Sequence, residues 1–431
     1  MSLRNWRRKE DIRAMKRAIC IAVMVFVGIC VCACGKGGEE PVMSHAPEST
    51  AVTVSGQPVQ EEGIPLVSSA RAFAMAEDLV AGMTLKEKIG QMFMVHLSQL
   101  DSSHTEDGNQ YKVTSRMRKL LEEYNFGGIY MTVNNIANEK QTKKLAGSLQ
   151  NSVSGGALYL AIEEEGGGKS LLSSRIEAGE EDKLEKNPDT QDSDVPDYSL
   201  YQESYGIATA FHGVGININF APVADVASEE NPEYAARCLG SDTDTVADRA
   251  ESFIRGMEAG GLATTLKYFP GIAKVAGNPA LELLENNDSL MTLRSINFTT
   301  YEAGISAGAD AVMMSNVSVN KVTINKIPAF LSQEIVTNLL REELGFDGVV
   351  FTPFLDEPLI IDKYTSGFVA VEAVKAGCDM LILPYDWREA YEALLLAVQR
   401  GDISEKVINT AVQRILKNKI QRGILIIENE D

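Results

Sequence analysis

Short, nearly continuous apolar runs recur along most of the chain, and longer stretches with apolar residues at helical spacing separate them. Such runs are typical of strands that are buried on both faces of a sheet. The eight candidates are Met92–Val95, Gly128–Met131, Leu158–Ile162, Asn217–Ala221, Ala263–Tyr268, Ala311–Ser315, Val349–Thr352 and Met380–Leu383. The clearest helical patterns are Gln333–Leu344, Phe368–Ala376, Trp387–Arg400 and Ser404–Lys419. This alternation predicts an α/β fold, for which a (β/α)8 TIM-type barrel is the most economical arrangement and an open doubly wound sheet is the alternative.

The amino-terminal part departs from this pattern. A basic stretch leads into an apolar segment, Ala18 to Cys32, which is shorter than the ~20 residues that a spanning helix needs. This predicts an export signal, with translation beginning at Met1 or at Met15. The following residues are rich in Gly, Pro, Ser and Glu, which is typical of a flexible linker. The predicted organisation is a lipoprotein signal peptide at 1–33, a tether at 34–69, a barrel at 70–425 and a tail at 426–431.

The charge of the chain narrows the classes of ligand. The net charge is −20, and an acidic surface repels nucleic acid and anionic lipid headgroups. Residues 177–197 form a strongly acidic segment, which we interpret as a surface loop. Only Cys238 and Cys378 of the six cysteines fall in the predicted barrel, and they have neither a disulfide framework nor the paired spacing of a zinc site. We expect no nucleic acid, no metal and no cofactor, and we expect a neutral or cationic ligand.

Polar residues stand where several predicted strands end, and the active sites of such barrels lie at the carboxyl ends of the strands. They are Glu163-Glu164-Glu165, Asp225, Lys267, Tyr268 and Asn316, with Pro353 after the seventh strand. This ring can hold hydroxyl and amide groups but contains no evident catalytic set. The glycine-rich stretch from Gly166 to Ser170 has glutamate where a phosphate-binding loop needs its first glycine, so we expect no phosphate there.

Six ordered segments carry a resemblance to a known family. They are Met83–Val95, Ala161–Gly167, Gly215–Asp225, Arg237–Asp242, Lys267–Gly271 and Gly345–Val350. Together they resemble glycoside hydrolase family 3, in its single-barrel β-N-acetylhexosaminidase branch, over about Phe73 to Ile420. The resemblance implies a retaining hydrolase of N-acetylglucosaminides that needs no metal and often acts in cell-wall recycling.

The same resemblance puts unreactive residues at the reacting positions. Retaining hydrolysis needs a carboxylate that attacks the sugar and a group that transfers a proton. A gap-free match puts Pro353 at the nucleophilic aspartate, and Asn278, Pro279 and Ala280 at the Asp-Ser-His of the proton-transfer dyad. We therefore expect no catalytic residue, with Asp356, three positions past Pro353, as the fallback.

Compared with the family pattern, this sequence retains more of the residues that bind substrate than of the residues that react. In the family, residues matching Lys267 and Arg237 bind hydroxyl and acetamido groups, and Glu163 replaces an aspartate that holds the nonreducing sugar. Tyr268 and Asn316 replace histidines, as does Ile272, and Gly168 replaces an arginine. Each residue also has a structural alternative. Lys267 could form a buried ion pair with Glu163 or Asp225, and Arg237 could hold a loop in place. Tyr268 and Asn316 could form hydrogen bonds that only fill a pocket no longer in use.

The tetrad Val31-Cys32-Ala33-Cys34 resembles a bacterial lipobox, which implies that Cys34 carries a lipid. An uncleaved anchor is the alternative, and both place the folded part outside the cytoplasmic membrane. We predict a lipid-anchored envelope protein that binds an N-acetylglucosamine-containing glycan or wall fragment, with hydrolysis lost or severely impaired. An envelope protein is a further candidate partner. The alternative is an active retaining enzyme that uses displaced carboxylates such as Asp356 and Glu357.

Overall fold

In a computed structural model, the chain is described over residues 67–103, 108–153, 157–166, 172–176, 191, 194–323 and 325–427. The predicted signal peptide, Cys34, nearly all of the tether, Gly168 and most of the acidic segment lie outside the described residues. The predicted domain boundaries therefore stay predictions. Within the described ranges, no helix combines the length and the apolar character needed to cross a bilayer.

Eight parallel strands close into a barrel, one at each predicted apolar run. In chain order the strands are β1 (Phe93–His96), β2 (Gly128–Tyr130), β3 (Tyr159–Ile162), β4 (Ile218–Asn219), β5 (Ala263–Phe269), β6 (Glu285–Asn286), β7 (Ala311–Met314), β8 (Ser318–Val319), β9 (Val349–Phe354) and β10 (Met380–Ile382). Strands β6 and β8 pair with each other outside the barrel, whose order is β1-β10-β9-β7-β5-β4-β3-β2. The predicted (β/α)8 barrel is confirmed, and the open-sheet alternative is wrong.

Helices connect the strands and cover the barrel. They span Ser69–Gly82, Leu85–Gln91, Leu97–Leu100, Ser115–Tyr124, Glu139–Gln150, Tyr198–Gly213, Pro232–Ala235, Thr243–Ala259, Leu290–Leu293, Thr299–Ser306, Pro358–Lys363, Ser366–Ala376, Trp387–Arg400 and Glu405–Gln421, with wider π-type turns at Arg294–Phe298 and Glu334–Glu343 and single 3-10 turns at Ser173–Arg175 and Ala329–Leu331. The four predicted helices are present, each within two residues of its prediction at either end.

Local chemistry explains where several helices begin and end. The side chains of Asp197 and Asp242 accept backbone N–H groups of the first turn, at 3.0 Å from Leu200 and 2.9 Å from Thr245. Such caps satisfy donors that the helix itself cannot pair. Gly377 ends the helix before it with a φ of 114°, a left-handed conformation that glycine adopts without a steric penalty.

The barrel interior is packed with aromatic rings that also form the floor of its carboxyl-terminal mouth. The ring of Tyr130 on β2 stacks on Phe220 at 5.7 Å and lies 5.0 Å from Phe354 on β9. Phe220 also lies 5.4 Å from Phe351. Because these rings come from opposite sides of the barrel, they fix the distance between its walls.

A fully buried lysine lies at the opposite, amino-terminal end. The Lys419 ammonium donates to Gln91 Oε1 at 2.9 Å and to the carbonyl oxygen of Gly127 at 2.8 Å. It also lies 4.8 Å from the ring centroid of Tyr159. Burial lowers the pKa of Lys419 to about 7, because removal from water disfavours the charged form.

Candidate functional site

A cavity of about 480 Å³ opens at the carboxyl ends of the strands. This is where ligand sites of such barrels lie. The residues that line it are Glu163, Glu165, Glu233, Tyr234, Arg237, Tyr268, Ile272, Pro279, Met313, Asn316, Pro353, Phe354 and Glu357. Four of the five predicted binding residues, Glu163, Arg237, Tyr268 and Asn316, are therefore brought to one cavity.

One wall is built around an ion group of Glu163, Glu165, Lys267 and Arg237. The Lys267 ammonium lies 2.6 Å from Glu163 Oε1 and 2.5 Å from Glu165 Oε1. The Arg237 guanidinium lies 2.8 Å from Glu163 Oε1 and 2.6 Å from Glu165 Oε1, and it donates to the Tyr268 hydroxyl at 2.7 Å. Two carboxylates and two cations thus neutralise one another.

The ion group controls the ionisation of Glu165. Burial acts to raise its pKa, but the positive charges of Lys267 and Arg237 outweigh burial and lower the pKa to about 2. Glu165 is therefore ionised throughout the physiological range.

The Glu163-Glu164-Glu165 run divides between two sides of the chain because successive side chains of extended backbone point in opposite directions. Glu163 and Glu165 line the cavity. Glu164 is fully buried and accepts the backbone N–H groups of Leu172 and Ser173, both at 3.2 Å. Two of the three glutamates of this run therefore line the cavity.

Lys267 has no exposed surface, and it is not one of the residues that line the cavity. Its ammonium lies behind the two carboxylates, so the buried ion pair considered from the sequence is present, with Glu163 as the partner rather than Asp225. Asp225 is fully buried and accepts the backbone N–H groups of Ile272 and Ala273 at 2.7 and 3.0 Å. Burial raises the pKa of Asp225 to about 6 despite these hydrogen bonds. Direct ligand contact by Lys267 stays a prediction.

The opposite wall carries Glu357, which follows β9, and β9 lies four strands away from β3 in the ring of eight. Its carboxylate accepts a hydrogen bond from Asn316 Nδ2 at 2.6 Å, and the same amide donates to the carbonyl oxygen of Pro279 at 2.8 Å. Burial and the negative charges of Asp356 and Glu163 raise the pKa of Glu357 to about 7, although the hydrogen bond from Asn316 acts in the other direction.

The positions predicted to be unreactive lie at or near this cavity. Pro353 lines it as part of β9. Asn278 and Ala280 flank the lining residue Pro279, and Asn278 Oδ1 accepts the backbone N–H of Ala280 at 2.9 Å. The fallback nucleophile Asp356 is not a lining residue, whereas its neighbour Glu357 is.

Among the lining residues that sequence reasoning missed are Glu233 and Tyr234. They belong to the helix Pro232–Ala235, whose start is marked by Asn231 as a cap and by a proline in the first turn. The Tyr234 ring centroid lies 5.2 Å from the Arg237 guanidinium carbon. The Asn231-Pro232 pair, six residues after Asp225, was the available signal for a short helix at this edge.

The structure offers no built metal centre in its described part: those residues contain no group of three or more His, Cys, Asp or Glu side chains arranged to hold an ion. Cys378 is buried, as expected for a small apolar residue, whereas Cys238 is only partly buried. The cavity chemistry is therefore that of carboxylates, a guanidinium, amides and aromatic rings.

Comparison with known proteins gives consistent matches. The family model described as the glycosyl hydrolase family 3 N terminal domain matches residues 84–418. A protein named beta-hexosaminidase from Stenotrophomonas maltophilia is 29% identical over 299 residues, which are 67% of this chain and 84% of that protein.

Solved structures match as well. A glycoside hydrolase family 3 β-N-acetylglucosaminidase from a Paenibacillus species has a TM-score of 0.69 and 30% identity, covering 79% of this chain and 63% of that one. This chain thus spans less than two thirds of the Paenibacillus protein. A β-N-acetylhexosaminidase from Beutenbergia cavernae has a TM-score of 0.64 and 25% identity, covering 78% of this chain and 98% of that one.

Proposed function

The chain belongs to glycosyl hydrolase family 3, and on this basis we propose that its cavity binds an N-acetylglucosamine-containing glycan or wall fragment, with hydrolysis lost or severely impaired. Its relatives named beta-hexosaminidase and β-N-acetylglucosaminidase support the ligand class. The size of the cavity agrees, because small-molecule sites typically enclose about 300–1,000 Å³ and this one encloses about 480 Å³.

The observation that carries the proposal is Pro353 in the cavity wall, at the position where the family resemblance puts the nucleophile. Proline has no side-chain atom that can attack an anomeric carbon. Glycosidases must lower a barrier by about 8–23 kcal/mol, and the covalent step of a retaining mechanism depends on a carboxylate about 5 Å from the acid/base group. Glu163 and Glu165 are held by Lys267 and Arg237, which disfavours their use as nucleophiles.

The remaining lining residues suit a sugar. Tyr234, Tyr268 and Phe354 offer aromatic surface to the apolar faces of a pyranose ring. Glu163 and Arg237 offer an acceptor and donors for hydroxyl groups. A binding site of this kind needs no reacting group.

The test combines an activity assay with calorimetry on the purified full-length protein. We expect no turnover of 4-nitrophenyl N-acetyl-β-D-glucosaminide above a heat-treated control, and measurable heat on titration with N,N′-diacetylchitobiose. Arg237→Met should weaken that binding at least about tenfold, equivalent to ~1.4 kcal/mol. Arg294→Met is the matched control, because Arg294 pairs with Glu343 at the surface and does not line the cavity. Absence of binding to N,N′-diacetylchitobiose would contradict the proposal.

A second function is favoured by one observation, the carboxyl group of Glu357 in the cavity wall, where burial raises its pKa to about 7. A general acid works best when its pKa lies near the operating pH, and the carboxylates of Glu163 and Glu165, which follow β3, line the other side of the cavity. The chain would then be a retaining β-N-acetylhexosaminidase that uses displaced carboxylates. Turnover that is abolished by Glu357→Gln or by Asp356→Asn would establish this alternative and overturn the loss of hydrolysis.

We also propose that Cys34 is acylated and that the folded part lies outside the cytoplasmic membrane, anchored by its lipid. The lipobox-like tetrad before Gly35 supports this. Labelled palmitate should be incorporated into the protein and lost in Cys34→Ala, which should also leave the membrane fraction. Cross-linking in intact cells tests for an envelope protein partner.

A further inference from the structure

The two walls of the cavity differ in their balance of charge. On the β3 side, Glu163 and Glu165 are matched by Lys267 and Arg237, with all four carboxylate–cation distances between 2.5 and 2.8 Å. On the β9 side, Glu357 accepts one hydrogen bond from Asn316, a neutral donor.

No cation compensates Glu357 from within the cavity. Of the described residues that line it, Arg237 alone is basic, and its guanidinium is already engaged by Glu163, Glu165 and Tyr268. The other charged or titratable groups near Glu357 are Asp356, which follows β9 and lies outside the cavity lining, the β3-side glutamates, Glu233 and the hydroxyls of Tyr234 and Tyr268. All of the charged ones among these are acids.

A carboxylate in such a place costs free energy unless it gains a proton or a cation. Burial and neighbouring negative charge raise the pKa of Glu357 to about 7, so the proton is one solution. A ligand ammonium is the other, because it supplies a short charge-assisted hydrogen bond and relieves the repulsion from Asp356 and Glu163.

The charge of the whole chain points the same way. A net charge of −20 lowers the local concentration of anionic glycans and raises that of cationic ones. Wall fragments that carry carboxylate or phosphate groups are disfavoured on this ground, whereas a glycan with free amino groups is attracted.

We infer that the cavity prefers an amino sugar whose 2-amino group is free and protonated over the same sugar in its N-acetylated form, with the ammonium bound by Glu357. This inference rests on the proposed function, because it requires that the cavity takes a glycan. Within the amino-sugar glycans it favours de-N-acetylated glucosamine residues over N-acetylglucosamine.

The experiment is isothermal titration of the full-length protein at pH 7 with three disaccharides. They are chitobiose with both amines free, N,N′-diacetylchitobiose and cellobiose, which has a hydroxyl at each 2-position. We expect the free amine to bind at least about tenfold more tightly than either neutral sugar, equivalent to ~1.4 kcal/mol. The preference should shrink as the pH falls from 7 to 5, because Glu357 gains a proton in that range.

Variants locate the ammonium. Glu357→Gln keeps an acceptor for Asn316 but removes the negative charge. In this variant the free amine and the neutral sugars should bind with about equal affinity. Glu285→Gln is the matched control, since Glu285 pairs with Lys326 at the surface outside the cavity, and it should keep the preference. Glu233→Gln tests the carboxyl group that the helix Pro232–Ala235 brings to the cavity. Circular dichroism of each variant checks that the barrel is folded.

The outcomes separate the two proposals. Binding of the diacetylated sugar as tightly as the amine, or more tightly, overturns this inference and leaves the proposed function standing. The same holds if the preference disappears in Glu233→Gln but survives in Glu357→Gln. Binding of none of the three sugars overturns both.

Discussion

Replacing Lys267 with methionine tests whether the ion group holds the cavity wall together. The ammonium is fully buried, 2.6 Å from Glu163 and 2.5 Å from Glu165. Methionine fills similar space without a charge, so two carboxylates would share Arg237 alone. The substitution also separates the two roles considered for Lys267, contact with ligand and support of the glutamates.

The structure sets the expected magnitude. A pKa of about 2 for Glu165, against an ordinary 4.5, corresponds to roughly 3 kcal/mol, because one pKa unit is worth ~1.36 kcal/mol. Because burial opposes this shift, the two cations together contribute more than that net value. Removing one partner of a buried ion pair costs about 3–5 kcal/mol in general. We therefore expect Lys267→Met to lower the free energy of unfolding by about 3 kcal/mol at pH 7.

The assay is guanidinium unfolding, followed by the fluorescence of the buried Trp387. The folded-state pKa of Glu165 lies below its unfolded value, so its contribution is fully present above pH 4.5 and is lost as the pH falls from 4.5 to 2. The penalty of Lys267→Met should shrink over the same range. Adding Glu165→Gln should recover part of the loss, because it removes a carboxylate that has lost its cation.

Lys375→Met is the control, because Lys375 forms an exposed pair with Glu372 on one helix, and such pairs contribute about 0.5 kcal/mol or less. A loss of less than about 1 kcal/mol for Lys267→Met would refute the reasoning.

Three further predictions concern other parts of the barrel. Pro353→Asp should release about one equivalent of nitrophenol from 4-nitrophenyl N-acetyl-β-D-glucosaminide and then stop. Nitrophenolate leaves without being protonated, whereas hydrolysis of the covalent glycosyl-enzyme needs a base to activate water. Sustained turnover would contradict this prediction. The unfolding free energy of the native protein, relative to that of Lys419→Met, should rise by about 1.4 kcal/mol per pH unit above pH 7. The reason is that the pKa of Lys419 is about 7 in the folded protein and about 10.5 in the unfolded chain, so between these pH values only the unfolded chain keeps the proton on Lys419. Urea titrations of both proteins at pH 7, 8 and 9 measure the difference. Gly377→Ala should cost about 1–2 kcal/mol in thermal unfolding because its φ is 114°, whereas Gly213→Ala, at an open helical position, should not destabilise.

The barrel could be predicted from sequence because its strands are buried on both faces and therefore consist of apolar runs. Strands β6 and β8 could not. Each is only two residues long, and Glu285, Asn286 and Ser318 within them are polar. Their pairing depends on two loops meeting after β5 and β7, which no local pattern reveals.

The site was predictable in position but only partly in its charge pairing. Strand ends identified Glu163, Tyr268 and Asn316, because carboxyl ends of barrel strands meet at one mouth. That Lys267 lies behind two carboxylates depends on contacts between residues 102 and 104 positions apart. Spacing also could not distinguish Asp356 from Glu357, since the turn after β9 decides which of them lines the cavity.

The charges in the cavity explain why proline at position 353 leaves the binding wall undisturbed. The lining residues and the cation behind them already include four carboxyl groups, Glu163, Glu165, Glu233 and Glu357, against Lys267 and Arg237. An aspartate at 353 would add a fifth, next to a carboxyl group whose pKa is already about 7. Like charges in a shared site cannot all ionise, so the added acid would raise the pKa of its neighbours or its own. A neutral residue at 353 leaves the ion group of the β3 wall undisturbed, and it is this wall, supported by the aromatic floor, that a bound sugar would contact.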